Sequence, residues 1–250
     1  MTSLGAAPPE FPSAVAVITA RGGSKRIPRK NIRQMSGQPL LSWPVRAALE
    51  SGIFSAVIVT TDDDEIAAAA VAAGATVPFM RRPELSDDWT PTVPVVADAI
   101  DQLAAQGSEF DVVCCLYPGA IFVSGRDVRD SLSQLIARPE ADFLATVTEY
   151  PTPLELAMDL DSEGHLSHVN PAAYGQRTQD LPTRYYDVGQ FYWGKSASWL
   201  TTDNLYNNAI GYVLPKWRAQ DIDTEDDWTR AQYLHTTWLA ESDTKLGGEQ

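Results

Sequence analysis

Six basic residues crowd one short segment, ARGGSKRIPRKNIR over residues 20–33: Arg21, Lys25, Arg26, Arg29, Lys30 and Arg33. They are six of 19 Lys and Arg in a 250-residue chain whose formal net charge is −14. Such a cluster repels itself unless an anion lies among its members. Gly22 and Gly23 permit close backbone approach, Ser24 adds a hydroxyl, and free backbone N–H groups of such a loop cradle phosphate oxygens. The chemistry indicated is recognition of a phosphorylated ligand. Neither G-x-x-x-x-G-K-[ST] nor G-x-G-x-x-G occurs, which argues against P-loop ATPase and NAD-dependent readings.

A second constellation lies near the other end, QDIDTEDDW over 220–228. In extended chain, side chains alternate with period two, so Asp221 and Asp223 share a side. Two carboxylates facing one space are costly without a cation or a proton, and Mg²⁺ is commonly held by one or two carboxylates plus substrate phosphate. A competing reading makes Asp223 or Thr224 a helix N-cap. Glu225, Asp226 and Asp227 then favour the N-terminal end of the helix dipole.

The elements that position these groups alternate along the chain. Residues 14–19 (AVAVIT), 56–60 (AVIVT), 75–79, 111–116 (DVVCCL) and 142–148 read as strands, the first two as continuous apolar runs buried on both faces. Helical spacing fits 40–51, an alanine-rich stretch from the TDDD cap to Gly74, 93–106 and 127–137. This rhythm implies βαβ crossovers and a Rossmann-like α/β fold, doubly wound around a mostly parallel sheet. The basic loop then leaves the carboxyl end of the first strand, where such sheets bind ligands. After Tyr150 the pattern changes. Pro151 and Pro153 punctuate the chain, and 154–160 and 165–169 flank a DSEG turn as a hairpin would. A strand at 188–193, a short helix, a strand at 209–214 and a helix at 224–239 follow. The expected organisation is one domain over 14–240, a protruding arm at 151–187, and loose ends at 1–12 and 242–250.

Composition excludes several classes. The chain is 44% hydrophobic, which supports a buried core. No apolar run reaches the ~18–20 residues of a membrane span, and the opening MTSLGAAPPEFPS does not read as a secretory signal. The negative net charge argues against nucleic acid or anionic lipid as a partner. Cys114 and Cys115 are adjacent on a strand, so they face opposite sides as small core residues, and a reducing, cytoplasmic setting is expected. Three scattered histidines, His165, His168 and His235, do not make a zinc site.

The run R-G-G-S-K-R-I-P-R-K-N (21–31) resembles the nucleotide-binding loop of the CMP-nonulosonic acid synthetases, the cytidylyltransferases that include CMP-N-acetylneuraminate synthetase and the pseudaminic acid enzymes. The likeness continues through G-Q-P-L-L (37–41), V-I-V-T-T-D-D (57–63), R-R-P-E-L-S-D-D (81–88) and Q-D-I-D-T-E-D-D (220–227). It covers roughly residues 14 to 235. C-C-L-Y (114–117), R-T-Q-D-L (177–181) and D-V-G-Q-F-Y-W-G-K (187–195) resemble the pseudaminic acid branch. L-Y-P-G-A-I (116–121) and Val188-Gly189 depart from the sialic acid branch, and P-G-A-I departs from both.

The resemblance implies a nucleotide-diphospho-sugar-transferase-like fold. It also implies Mg²⁺-dependent transfer of CMP from CTP to a nine-carbon 2-keto sugar acid. Pseudaminic acid is the expected acceptor, with N-acetylneuraminic acid or another isomer as the alternative, and a non-catalytic nucleotide binder as a reading of another class. By the same resemblance, Arg21, Ser24 and Lys30 hold the triphosphate, with Gly22 and Gly23 in the same loop, and Asn31 contacts phosphate or cytidine. Asp221 and Asp223 hold Mg²⁺. Arg81 lies near the nucleotide or else pairs with Asp87 or Asp88, and Tyr117 touches the nucleotide or sugar or else only packs. Arg177 and Gln179 reach the sugar acid or serve a dimer contact. Gln190 reads the sugar or simply occupies the sheet. Arm-exchanged homodimers are expected.

Overall fold

The computed structural model describes residues 11–246, with side chains as far as Glu241. Of the expected loose ends, 1–10 and 247–250 lie outside the described residues. The elements run β1 (Ala14–Thr19), a small antiparallel ribbon of β2 (Gln34–Met35) and β3 (Gln38–Pro39), α1 (Ser42–Ser51), β4 (Ala56–Thr60), α2 (Asp64–Ala72), α3 (Thr92–Ala105), β5 (Val112–Leu116), α4 (Gly125–Ile136) and β6 (Phe143–Glu149). Then come the hairpin β7 (Met158–Leu160) and β8 (Leu166–His168), β9 (Tyr185–Lys195), α5 (Ser196–Thr201), β10 (Ala209–Val213) and α6 (Glu225–Leu246). The last helix therefore continues beyond its expected end at 239.

The main sheet has six strands in the order β10-β6-β9-β5-β1-β4. Every pairing is parallel except those of β9 with β5 and β6. One face packs on α1, α2 and α4 and buries Ile18, Val59, Cys114 and Leu132; the other packs on α3 and α5 and buries Val17, Val96, Cys115 and Trp199. Cys114 and Cys115 thus point to opposite faces, unpaired, and burial pushes both thiols up, Cys115 to about 12. Among the described residues no helix is long and apolar enough to cross a membrane.

The strand expected over 75–79 shrinks to one bridge, Thr76 beside Ile58. Thr76 donates to Val57 O (2.9 Å) and accepts from Val59 N (2.8 Å). Two residues on, Pro78 has no N–H with which to extend the ladder. The helix expected from Leu40 starts at Ser42.

Two features place the site. β9 is bulged: Asp187 pairs with Val147 and Tyr192 with Ala145, so Val188–Phe191 face a single residue of β6, Thr146. The buried Thr146 hydroxyl accepts from Gln190 N (3.3 Å) and Phe191 N (3.2 Å) and donates to Phe191 O (3.0 Å). It thereby satisfies backbone groups that the bulge removes from the ladder. The second feature is a third apolar cluster, away from the sheet: Ile27, Met35, Leu40, Trp43, Ile121, Phe122, Ile222, Trp228 and Ala231. It fastens the basic loop and the chain before α6 to one another.

That chain is fixed further by Arg218. Its guanidinium donates to Phe122 O (Nε, 2.9 Å) and closes a two-pronged pair with Asp127, with Nη1 3.0 Å from Oδ1 and Nη2 on Oδ2. Asp127 also completes the capping box of α4 with Ser124. Burial alone would raise the Asp127 carboxyl, but Arg218 and the Ser124 bonds hold it below its ordinary value. The stabilisation is therefore present above the usual carboxylate range and is lost as pH falls through the lowered value. Arg218→Met should cost about 3–5 kcal/mol at pH 7 by leaving Asp127 charged, buried and unpaired. Urea unfolding should show that cost shrinking as pH falls and the carboxyl protonates.

Candidate active site

β1 delivers the basic loop to the carboxyl edge of the parallel sheet, and Tyr117–Gly119 follow β5 at the same edge. Because β9 runs antiparallel, its leading residues Tyr186–Gly189 reach that edge too. A cleft of about 550 Å³ opens there, lined by Arg21, Ser24, Lys25, Arg26, Lys30 and Asn31 of the loop. Thr19, Arg81, Asp88–Thr92, Val95, Tyr117, Pro118 and Asp223 complete it. A second cleft of about 500 Å³ is formed by Tyr117, Tyr186–Gly189, Tyr192, Ala219 and Asp221. A neck of about 70 Å³ shares residues with both, among them Lys30, Tyr117 and Asp221, and adds Gln190 and Gln220. The molecule thus has two adjoining chambers, one strongly basic, meeting beside Lys30 and Asp221.

Arg29 turns the loop back on itself in the left-handed region (φ 56°), a conformation costing about 1 kcal/mol for a non-glycine residue. Its guanidinium is held by both oxygens of Asp63 and by Glu65 (2.6 Å). Asp63 in turn caps α2, accepting from Glu65 N (3.0 Å) and Ile66 N (2.9 Å). After this turn, Lys30 Nζ donates to Ile222 O (2.7 Å) and lies 3.4 Å from Asp223 Oδ1, while Asn31 Nδ2 donates to Arg21 O (2.9 Å). Arg26 reaches Asp223 Oδ2 at 2.7 Å. Arg33 donates to both Glu225 oxygens (2.7 and 2.8 Å) and stacks over Trp228, 4.3 Å from the ring centre.

Thr224, rather than Asp223, caps α6. Its Oγ1 accepts from Asp227 N (3.2 Å) and donates to Asp227 Oδ2 (2.7 Å), which also takes Thr224 N (2.9 Å). Asp223 is left to face the cleft and Asp221 the neck. Partial burial and then the Asp223 charge push the Asp221 carboxyl up, with Lys30 opposing. Among the described residues no group of three or more His, Cys, Asp and Glu side chains is placed to hold a metal. A divalent ion at the Asp221–Asp223 pair would need further oxygens from a bound phosphate and water, and it would relieve the repulsion that raises Asp221. The donor set fits Mg²⁺ on those terms.

The sequence-indicated residues distribute unevenly. Arg21, Ser24, Lys30, Asn31, Arg81, Tyr117 and Asp223 line the basic cleft; Tyr117, Gln190 and Asp221 line the neck. Arg81 pairs with neither Asp87 nor Asp88. It is buried, donates to Thr60 O (Nη2, 2.6 Å) and Thr60 Oγ1 (Nε, 3.3 Å), and burial lowers it to about 10. Gln190 is 1% exposed. Its Nε2 donates to Val188 O and Gln220 O (both 3.1 Å), and its buried Oε1 has no protein partner. Tyr117 shares a short hydrogen bond with Thr92, and burial raises its phenol to about 12.

Gly22 turns away from the cleft: its N–H donates to Asp62 Oδ1 (2.8 Å). Ser24 donates its hydroxyl to Ile27 O (2.6 Å). Arg177 and Gln179 line none of the three spaces. They sit at a single 3₁₀ turn of the exposed arm, where Arg177 pairs with Asp180 (2.7 Å). In Pro118–Ile121, the first two residues border the neck while Ala120 and Ile121 are wholly buried, so the second half of this departure is a packing feature.

The sequence matches the cytidylyltransferase family profile over residues 15–208. The chain belongs to the cytidylyltransferase family. Among curated relatives of this cytidylyltransferase, a pseudaminic acid cytidylyltransferase of Campylobacter jejuni is 38% identical over 88% of this chain and 95% of its own. An N-acylneuraminate cytidylyltransferase B of Danio rerio is 31% identical over 87% of this chain and 50% of its own. A solved CMP:2-keto-3-deoxy-manno-octonic acid synthetase complexed with CTP superposes with a TM-score of 0.65 at 17% identity, covering 90% of this chain and 99% of that one, which supports the fold.

Sequence reasoning missed Asp187. Its Oδ2 accepts from Tyr192 Oη (2.5 Å) and Tyr206 Oη (2.6 Å), building one wall of the second chamber. No linear spacing signals this, because the three residues meet only through the bulge and the entry to β10. It also missed why Gly22 must be glycine. A Cβ there would lie 2.9 Å from Asp63 Oδ2 and 3.0 Å from Asp63 Cβ. Asp63 is pinned by Arg29 and two helix amides and cannot yield cheaply. Gly22→Ala should therefore lower stability by about 1–3 kcal/mol in thermal unfolding and weaken CTP binding through the displaced Arg29 turn.

Proposed function

We propose that this cytidylyltransferase joins CMP from CTP to a nine-carbon 2-keto sugar acid, pseudaminic acid foremost, with release of pyrophosphate. One observation carries the reading: a basic chamber and a second chamber walled by tyrosines and Asp187 meet at a neck where Lys30 and Asp221 stand. The Campylobacter jejuni relative supports the choice of acceptor. The CTP triphosphate lies along Arg21, Lys25, Arg26 and Lys30, with the base toward Thr92, Val95 and Tyr117. The sugar acid occupies the second chamber with its anomeric hydroxyl in the neck. That oxygen bonds to the α-phosphorus as the bond to the pyrophosphate oxygen breaks, and the hydroxyl proton passes to solvent.

The chain's part is positioning and charge stabilisation. Lys30, fixed by Ile222 O, neutralises charge developing on the phosphoryl oxygens, and the other loop cations stabilise the departing pyrophosphate. Gln190, with both amide hydrogens engaged, presents its Oε1 as an acceptor for a hydroxyl entering the neck. Asp221 and Asp223 would hold Mg²⁺, which when bound neutralises phosphate charge and acidifies the attacking hydroxyl. The same reaction on N-acetylneuraminic acid is the second reading, favoured by the Danio rerio relative. The protein operates in the reducing cytoplasm, consistent with two unpaired thiols.

Pyrophosphate release from CTP and Mg²⁺ should occur with pseudaminic acid and be at least tenfold slower with N-acetylneuraminic acid; the reverse order would replace the acceptor. Lys30→Ala should lower kcat/KM by about 100-fold or more, and an unchanged value would remove Lys30 from the site.

The exposed arm presents Leu160, Leu166 and Tyr174, each more than 60% exposed, and a second copy of the chain is the partner that covers them. Arg177 and Gln179 would then face the partner rather than their own cleft. Light scattering should give twice 27.3 kDa, and a monomer mass would discard this assembly.

A further inference from the structure

Asp88 stands among the cations that line the basic cleft. Its Oδ1 lies 2.5 Å from Arg21 Nη1, its Oδ2 pairs with Lys25, and Arg21 Nη1 also donates to Asp87 O at 3.2 Å. One carboxylate thus bridges two loop cations, as one phosphate group would. The turn that carries Asp88 does not depend on its side chain. Asp87 builds that turn, its Oδ1 accepting from Trp89 N (2.9 Å), Thr90 N (2.7 Å) and Thr90 Oγ1 (2.7 Å). The Asp88 carboxylate is spent on the basic loop.

The geometry also says which part of the nucleotide meets it. Lys30, Asn31, Tyr117 and Pro118 border both the basic cleft and the neck, whereas Arg21, Lys25 and Asp88 border the cleft alone. The α-phosphorus must lie by the neck to meet an acceptor from the second chamber. The β- and γ-phosphates then extend toward Arg21 and Lys25, onto the atoms that Asp88 holds. We infer that Asp88 is a built-in competitor for the pyrophosphate subsite. It occupies Arg21 and Lys25 in the empty cleft, is displaced by the two terminal phosphates of CTP, and returns as pyrophosphate departs. The inference rests on the reading of this cleft as the CTP site.

Competition of this kind lowers apparent affinity by the fraction of time the subsite is free. It acts on ligands that reach Arg21 and Lys25 and spares those that stop at the neck. The product half that stays bound is therefore not weakened, while the leaving half is.

Inorganic pyrophosphate, CTP and CMP titrated calorimetrically into the wild-type chain and Asp88→Asn, in magnesium-containing buffer, test this. The substitution should tighten pyrophosphate and CTP by about 3- to 30-fold, the scale of two exposed ion pairs, and leave CMP within twofold. Pyrophosphate inhibition of turnover should strengthen by the same factor. Asp88→Ser, which cannot reproduce a forked contact, should behave alike. Unchanged or weaker pyrophosphate binding in both variants would overturn the inference. So would equal tightening of CMP, which would mark a general loss of negative charge. A wild-type chain that binds neither CTP nor pyrophosphate would overturn the assignment of the cleft itself.

Discussion

Ile27 and Ile222 are each embedded in a charged motif, K-R-I-P-R-K and D-I-D, and each is 1% exposed in the same apolar cluster under α6. Burying one such side chain is worth about 1.5–3 kcal/mol. The two together fasten opposite ends of the chain, and the charges on either side of them have no choice but to face each other. Lys30 meets Ile222 O and Asp223, Arg26 meets Asp223, and Arg33 meets Glu225 because their apolar neighbours share a core. The basic loop is thus held in shape by hydrophobic burial, while its cations remain available for a ligand.

That division of labour suits a chain of net charge −14. A group of six cations would drift apart if attraction to anions were its only restraint, and exposed ion pairs contribute roughly 0–1 kcal/mol each. Here carboxylates pair with them: Asp88 with Arg21 and Lys25, Asp223 with Arg26 and Lys30, Asp63 and Glu65 with Arg29. Arg29 and Asp63 are the exception, since they also fix the left-handed turn and the cap of α2. In the proposed complex with CTP, a multivalent phosphate would exchange with the first two sets without disturbing the third.

The parallel strands were legible because strands covered on both faces read as continuous apolar runs, and Ala14–Thr19, Ala56–Thr60 and Val112–Leu116 do so. The basic loop was legible from composition alone. The third cluster was not, because its members are single apolar residues scattered through polar stretches with no common period. The bulge was equally hidden. V-G-Q-F looks like ordinary strand, and only the pairing with Thr146 reveals that Gln190 is turned inward. The family resemblance implies that Arg177 and Gln179 are sugar-acid contacts or a dimer contact, and where an arm lies depends on what it packs against, which no local pattern encodes.

The chain leaves the sheet at Glu149 and re-enters at Tyr185, directly opposite each other across the β6–β9 ladder, at the edge where the two chambers open. The whole excursion between them hangs from a closed pair of strand ends. Lengthening a loop whose ends are already joined costs only about 0.6 kcal/mol per doubling, so this segment is free to vary in size and sequence while the sheet stays as it is. The basic chamber is built from the first half of the fold and the chain before α6, and none of it passes through the arm. The second chamber, too, is lined only by residues outside this excursion, so both chambers can persist while the segment between the two strand ends changes.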